Sequence, residues 1–243
     1  MLRRGHELKL VYPQALAAPE AFEGRTGFIR SFARADTDVA SPAASLGREW
    51  AILRVTFKPF PVCAFNQTPV TGALALREKL GGASLKSVRV RMNPYETGYA
   101  GMDARGPFNS VSGTLMSIPF CIATTLLYGV PDMRRMTTYD DKSVAALIDR
   151  VGLVTDPSVP VLSAIIEAET EDGRRHVHEQ RMTTDDYAYD RRGVSALVRR
   201  IGREEAVPTA AFDRLERFVE RLPNAALDDV LSSFGMLGQR QAA

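Results

Sequence analysis

The chain has 243 residues, 45% hydrophobic, 25% charged and 8% aromatic, with 31 Lys and Arg against 29 Asp and Glu. These are globular proportions: they exclude a disordered, collagenous or coiled-coil chain and allow one large domain or two small ones, each with a real core. A formal charge of +2 is too weak to hold nucleic acid by electrostatics alone, and two cysteines without metal-ligand spacing, Cys63 and Cys121, exclude a disulfide framework and suit a reduced, cytoplasmic setting.

Met1 to His6 is basic, but mixed residues follow it, so no secretory signal is expected. Residues 1–48 are rich in Ala, Gly and Pro and end in Ser41-Pro42-Ala43-Ala44-Ser45. Only short helical pieces such as Pro13 to Phe22 fit there, and Gly24 and Gly27 interrupt the pattern. This zone reads as a linker and the remnant of a helical domain.

Residues 49–182 alternate strand and helix signals and are expected to form an α+β domain. Ile52 to Phe57 is a β-rich run stopped by Pro59 and Pro61. Thr68 is placed to cap a helix with Pro69 at its first position, with Val70, Ala73, Leu74 and Leu80 as its apolar stripe and Gly81-Gly82 at its end. Ser87 to Met92 alternates, Val88, Val90 and Met92 on one face and Arg89 and Arg91 on the other, which predicts a half-buried strand. Val111 to Val130 is the longest apolar stretch. Ser112, Gly113, Ser117, Pro119, Thr124 and Thr125 interrupt it, so a buried, Pro-kinked helix over Leu115 to Tyr128 fits better than a bilayer span of roughly 20 apolar residues. Asp140 or Asp141 then caps a helix with Val144, Leu147, Ile148 and Val151 on one face and Gly152 past its end. Val159 to Thr170 and Arg174 to Met182 flank Glu171-Asp172-Gly173, a hairpin signal.

Residues 183–243 form a C-terminal helical segment, with Phe212, Leu215, Val219 and Leu222 on one face and Leu227, Val230, Leu231 and Phe234 on a second. The class is α+β: a small antiparallel sheet with packed helices, followed by the C-terminal helices.

Generic catalytic motifs are absent: no Gly-rich phosphate loop, no G-x-S-x-G elbow, no Cys/His metal cluster. His176 and His178 lie two apart on a predicted strand and share a face. Without a third ligand an exposed hairpin face explains them better than a metal. Lys58 follows a predicted strand and precedes two prolines, so it sits on a rigid turn. It either presents its ammonium to an anionic substrate, acts in proton transfer, or is a solvated lysine at a strand end. Asn66 and Gln67 either line a pocket or close a turn. Cys63 is a small filler or a reactive thiol, and Cys121, inside the most apolar helix, is filler. Arg89 and Arg91 read as a charged strand face or a carboxylate site, and Asp185 to Arg192 as a solvated charge run.

The order of these pieces resembles the C-terminal half of the MmgE/PrpD family of 2-methylcitrate dehydratases, cis-aconitate decarboxylases and an iminodisuccinate epimerase. Phe22-Glu23-Gly24-Arg25-Thr26-Gly27-Phe28 looks like the family's EG-x-x-G-[FL] stretch. Leu46-Gly47, Trp50 and Lys58-Pro59-Phe60-Pro61-Val62-Cys63 look like LG-x-x-W and K-P-Y-P-x-C. Ser117 to Ala123, with Leu126 and Gly129, looks like S-[LI]-P-Y-x-[VI]-A followed by L-x-x-G. The likeness covers roughly residues 20–222.

The resemblance implies an α+β domain facing a helical one across a cleft, with acid–base chemistry on a small polycarboxylic acid: dehydration, decarboxylation or epimerisation. It implies no metal, nucleotide or flavin. Lys58 takes the place of the family's cleft-facing lysine, with Asn66, Gln67 and Cys63 beside it. Gln67 stands near a position where relatives have histidine, and Phe120 where tyrosine is usual. The family's helical half precedes this segment, so the resemblance also implies a partner, either a second chain carrying that half or a homodimer, or else a non-catalytic binding or assembly protein that kept the fold.

Overall fold

The computed structural model describes residues 20–33 and 44–236, which fall into two compact units, 1–55 and 56–243. Most of the expected Pro13–Phe22 helical piece, the Met1–His6 start and residues 41–43 of the Ser/Pro/Ala stretch lie outside the described residues.

In the first unit the chain crosses itself tightly over residues 20–29. The Gly24 amide donates to Glu20 O at 2.9 Å, and the Phe28 amide to Ala21 O at 2.8 Å. A Cβ on Gly24 would lie 2.6 Å from Glu20 O and one on Gly27 2.8 Å from Phe22 O, so both glycines are demanded by backbone contact. Phe28 stacks on Phe32 at 4.8 Å and meets Phe22 edge-on at 6.3 Å. The strand expected from Ile52 to Phe57 does not form. Ala51–Arg54 is a 3-10 turn, with Ile52 76% and Leu53 80% exposed. An apolar run becomes a strand only where a neighbouring strand satisfies its amides and carbonyls in turn, and among the described residues none pairs with this run.

The second unit is one layer of helices on one face of a four-stranded sheet of order β2-β1-β3-β4, with β1 Leu85–Met92, β2 Val151–Thr155, β3 Ser163–Thr170 and β4 Arg175–Arg181. The sheet is mixed: β1 pairs antiparallel with β3, as β3 does with β4, but β1 and β2 run parallel. The expectation of a purely antiparallel sheet is corrected here. Val151, read as the last residue of a helix face, is instead the buried first residue of β2. Its helix ends at Ile148, and residues 93–150 form the crossover that a parallel pair requires.

Helix α1, Gln67–Leu80, packs across β3 and β4. It starts one residue before the expected Thr68 cap, because a 3-10 turn, Ala64–Asn66, leads directly into it. Val70, Ala73, Leu76 and Leu80 are its buried stripe, Leu76 taking the core place expected of Leu74. The helix ends at Gly81 with φ 56°, a left-handed cap that glycine adopts without steric cost. After β1 comes the single turn α2, Pro94–Thr97. The apolar stretch then divides into α3, Val111–Met116, and α4, Ile118–Tyr128. It breaks rather than kinks, because Ser117 is extended and its hydroxyl accepts from the Phe120 amide at 3.0 Å. Helix α4 is central, with Ile118 to Leu126 buried. Two short helices follow, α5 Met133–Met136 and α6 Lys142–Ile148, the latter capped by Asp141. The core lies between the inner sheet face (Val88, Val90, Met92, Ala164, Ile166) and α1, α4 and α6. On the outer face Lys86 pairs with Glu169 at 2.7 Å and Arg89 with Glu167 at 3.3 Å.

The charge run from Asp185 to Arg192 is solvated, with Asp185, Asp186, Asp190, Arg191 and Arg192 all exposed, but it is not a plain loop. Thr184–Tyr187 is a 3-10 turn closed by a Thr183/Asp186 capping box, with Tyr187 buried, and Asp190 caps helix α7, Arg191–Glu204. Helices α8, Thr209–Glu220, and α9, Leu227–Gly235, follow. Among the described residues, no helix is long and apolar enough to cross a membrane.

Candidate functional site

The candidate lysine lies in the second unit, on the segment between Phe57 and Phe60. The Phe57 amide donates to Tyr187 O at 2.9 Å, and its ring stacks near Tyr189 at 6.4 Å. Lys58 is exposed and, among the described residues, its ammonium has no hydrogen-bond or ion-pair partner. The strand expected before it is coil, so its rigidity comes from the prolines and the contacts that follow.

Those contacts come chiefly from Gln67, only 2% exposed. Its Oε1 accepts from the Phe60 amide at 3.2 Å. Its Nε2 donates to Phe60 O and Val62 O, each at 3.0 Å. One side chain thereby satisfies both polar backbone groups of Phe60 and a carbonyl of Val62, in a loop whose prolines supply no donors. Asn66, fully buried, donates through Nδ2 to Leu115 O at 2.8 Å and Met116 O at 2.9 Å, tying the same loop to the α3–α4 junction. The Cys63 amide reinforces that tie by donating to Leu115 O at 2.9 Å. Of the two roles open to Asn66 and Gln67, closing a turn is the one their hydrogen bonds perform.

Cys63 is a half-buried free thiol at the end of the turn. Cys121 is fully buried; burial pushes its thiol up to about 12, against a smaller opposing effect from the Asn66 amide, so it stays a neutral filler. Phe120, where tyrosine is usual in the resembled family, is buried edge-on against Phe108 at 5.2 Å.

Of the remaining sequence candidates, His178, Arg89 and Arg91 have protein partners. His176 and His178 do share a face of β4, but it is the half-buried face under α1 rather than an exposed one. His178 Nδ1 lies 3.2 Å from Lys79 Nζ and its Nε2 3.2 Å from Gln180 Oε1. Among the described residues, no group of three or more His, Cys, Asp or Glu is placed to hold a metal. Arg91 donates to Asp156 and to Glu167, and Asp156 is held down to about 2 by Ser158 and then by Arg91. Arg89 pairs with Glu167. Both arginines are thereby neutralised by the protein's own carboxylates.

Sequence reasoning missed a buried polar group at the end of β1. Glu96 is 0% exposed; its Oε1 accepts from the Leu162 amide at 3.1 Å while Oε2 has no partner among the described residues. Burial raises its carboxyl above 4.5, and the Leu162 amide opposes that only in part. Leu162 holds a left-handed φ of 57°, so Glu96 bonds to a strained backbone. The signal was present but pointed elsewhere. Asn93 caps α2, and a glutamate three residues later reads as the second half of a capping box; its carboxylate turns inward instead. Nearby, the Tyr187 hydroxyl lies 3.2 Å from Thr68 Oγ1 and donates to Met182 Sδ at 3.1 Å.

Two surface cavities, of about 670 and 610 Å³, open respectively between the ends of α1, α4 and α6 and along the outer sheet face. Lys58 lines neither.

Comparison with known protein families matches residues 60–195, more than half of the chain, to the MmgE/PrpD C-terminal domain. The match begins inside the turn, two residues after Lys58. Among curated proteins, 7-carboxy-7-deazaguanine synthase of Bradyrhizobium diazoefficiens is 92% identical over 24 residues, 10% of this chain and 11% of that protein. The chain thus spans about a tenth of that relative's length, too short a stretch to make a domain.

Proposed function

Because the chain belongs to the MmgE/PrpD family, whose members are dehydratases and decarboxylases, we propose that it forms one wall of a lyase-type site for a small polycarboxylic acid. Lys58 is the carboxylate anchor or proton-transfer group of that wall, and a second chain carrying a helical half supplies the other wall. The observation that carries this reading is the turn itself. A lysine that has no counter-ion among the described residues stands at the start of a turn that Gln67 and Asn66 fasten from Phe60 onward, at the edge of the segment that matches the family. An unpaired ammonium on a fixed backbone attracts a carboxylate without first breaking an ion pair of its own.

In such a site a base removes the proton beside a substrate carboxylate. The electron pair left on carbon then forms a double bond as hydroxide departs and is protonated to water; in a decarboxylation no proton is removed first, and the pair of the broken C–C bond stays with the substrate as carbon dioxide leaves and is then protonated. Lys58 would stabilise the charge that accumulates on the neighbouring carboxylate. Re-protonation of the same carbon gives the epimerase alternative. A second reading, a binding or assembly protein that kept the fold, is favoured by one observation: both amide donors of Gln67 and one bond to its carbonyl oxygen are committed to backbone.

The test is co-purification of the full chain with a candidate helical partner, followed by assay of the pair for loss of water from citrate and of carbon dioxide from cis-aconitate. The lyase reading expects turnover, reduced about a hundredfold or more in Lys58→Ala. Turnover unchanged by that substitution removes Lys58 from the mechanism, and a stable pair that turns over neither compound favours the binding protein.

A further inference from the structure

We propose that Arg200, on α7, is a positioning residue that clamps the Lys58 turn; the inference rests on the reading of Lys58 given above. Arg200 Nη2 donates to Pro59 O, and its guanidinium carbon lies 5.8 Å from the centre of the Phe60 ring. It therefore grips the two residues that follow the lysine, from a helix far away in sequence and from a position past the end of the matched segment at residue 195.

The case rests on how the turn is held. Pro59 and Pro61 contribute no amide donors, so the loop depends on its remaining polar groups. From Phe60 onward these are satisfied by Gln67 and by the Leu115 carbonyl, which fasten the loop to α1 and to the α3–α4 junction. Those anchors all lie on the far side of Pro59 from the lysine. Among the described residues, the Lys58 amide itself makes no hydrogen bond. The backbone around it is held by the Phe57 amide on Tyr187 O and by Arg200 on Pro59 O. Loss of the Arg200 bond would leave a single point of attachment before Phe60, and the lysine would swing with its segment.

Arginine suits the place. Its planar guanidinium donates in its own plane to the carbonyl while approaching an aromatic ring, which an ammonium on a flexible stem does less well. It is half-buried, and its helix is braced: the adjacent Arg199 donates to Asp213 at 2.7 Å and Glu216 at 2.5 Å on α8. Arg200 also places a second cation beside the lysine's turn, which adds to the potential drawing in a polyanion.

The test compares the full-length chain with Arg200→Ala, Arg200→Lys and Lys58→Ala. Amide hydrogen exchange is read at Phe57, Phe60, Val62 and Cys63, and citrate is titrated as the probe against the Lys58 side-chain NMR signal, assigned by its loss in Lys58→Ala. The clamp expects exchange at Phe57 and Phe60 about tenfold faster in Arg200→Ala while β1 and β3 keep wild-type rates. It also expects several-fold more citrate for the half-maximal Lys58 shift, with partial recovery of that value in Arg200→Lys. Unchanged exchange at those amides overturns the proposal, as does a uniform acceleration across the sheet, which marks a loss of global stability. A local acceleration in Arg200→Ala together with a wild-type Lys58 signal that ignores citrate leaves the clamp standing and overturns the carboxylate-anchor reading instead.

Discussion

At the scale of single residues, the decisive chemistry is the economy of buried amides and carboxyls. Gln67 supplies an acceptor and donors to three backbone groups at once. Gln67→Ala strands those groups in a buried setting and should cost about 3 kcal/mol of stability, read by urea denaturation. Gln67→His, which brings in the residue that the resembled family has near this position, should also destabilise, because a neutral imidazole offers one donor and one acceptor. Glu96 makes the complementary point. Its folded carboxyl titrates above the ordinary 4.5, so the folded state holds the proton more tightly than the unfolded chain. Stability is then highest with the group protonated and falls as pH rises from 4.5 through the raised folded value. Glu96→Gln keeps a donor at the unpartnered position and removes the titration. Its melting temperature should exceed that of the wild type at pH 8 and converge with it near pH 4.5.

At the scale of elements, close approach decides which side chains fit. Helices α7 and α8 meet at Gly202, where an added Cβ would lie 2.2 Å from Phe212 Cζ. Gly202→Ala must push the ring aside and should destabilise by about 1–3 kcal/mol. The double substitution Gly202→Ala with Phe212→Leu should recover part of that in thermal unfolding, because the shorter side chain vacates the contested volume. Near the C-terminal end of β1, the Arg91–Asp156 pair ties the strand to the loop after β2. Ser158, and after it Arg91, hold Asp156 at about 2 when folded against an ordinary 3.8, so the stability from these contacts together is present above pH 3.8 and disappears as the pH falls through 2. Asp156→Asn should therefore flatten the acid limb of the stability curve, and a limb of unchanged slope would show that the carboxylate's contacts with Ser158 and Arg91 contribute nothing.

At the scale of the whole molecule, the buried hydrophobic core runs from Val62 to Ala168 and lies entirely within the second unit. A chain shortened to residues 56–243 should keep its sheet and melt within a few degrees of the full chain, as measured by circular dichroism. The C-terminal helices expose Val219, Leu222, Leu227, Leu231 and Phe234, a concentration of apolar side chains that suits the second chain proposed above.

The α+β class, the alternation of β1, the Asp141 cap, the Asp-Gly hairpin and the C-terminal stripes were all legible in the sequence, because each depends on spacing or on a turn residue within a few positions. The family was legible too, in short motifs in a fixed order. Tertiary structure alone decided what depends on distant partners. Ile52 to Phe57 has strand chemistry but no neighbouring strand. Val151 belongs to β2 because a parallel place beside β1 was open to it. Asp190 begins a helix that its surrounding charges disguised as loop. The candidate site divides in the same way: two prolines marked the Lys58 turn locally, whereas Gln67, Asn66 and Arg200 hold it through hydrogen bonds to backbone groups, and backbone groups carry no residue-specific mark in a sequence.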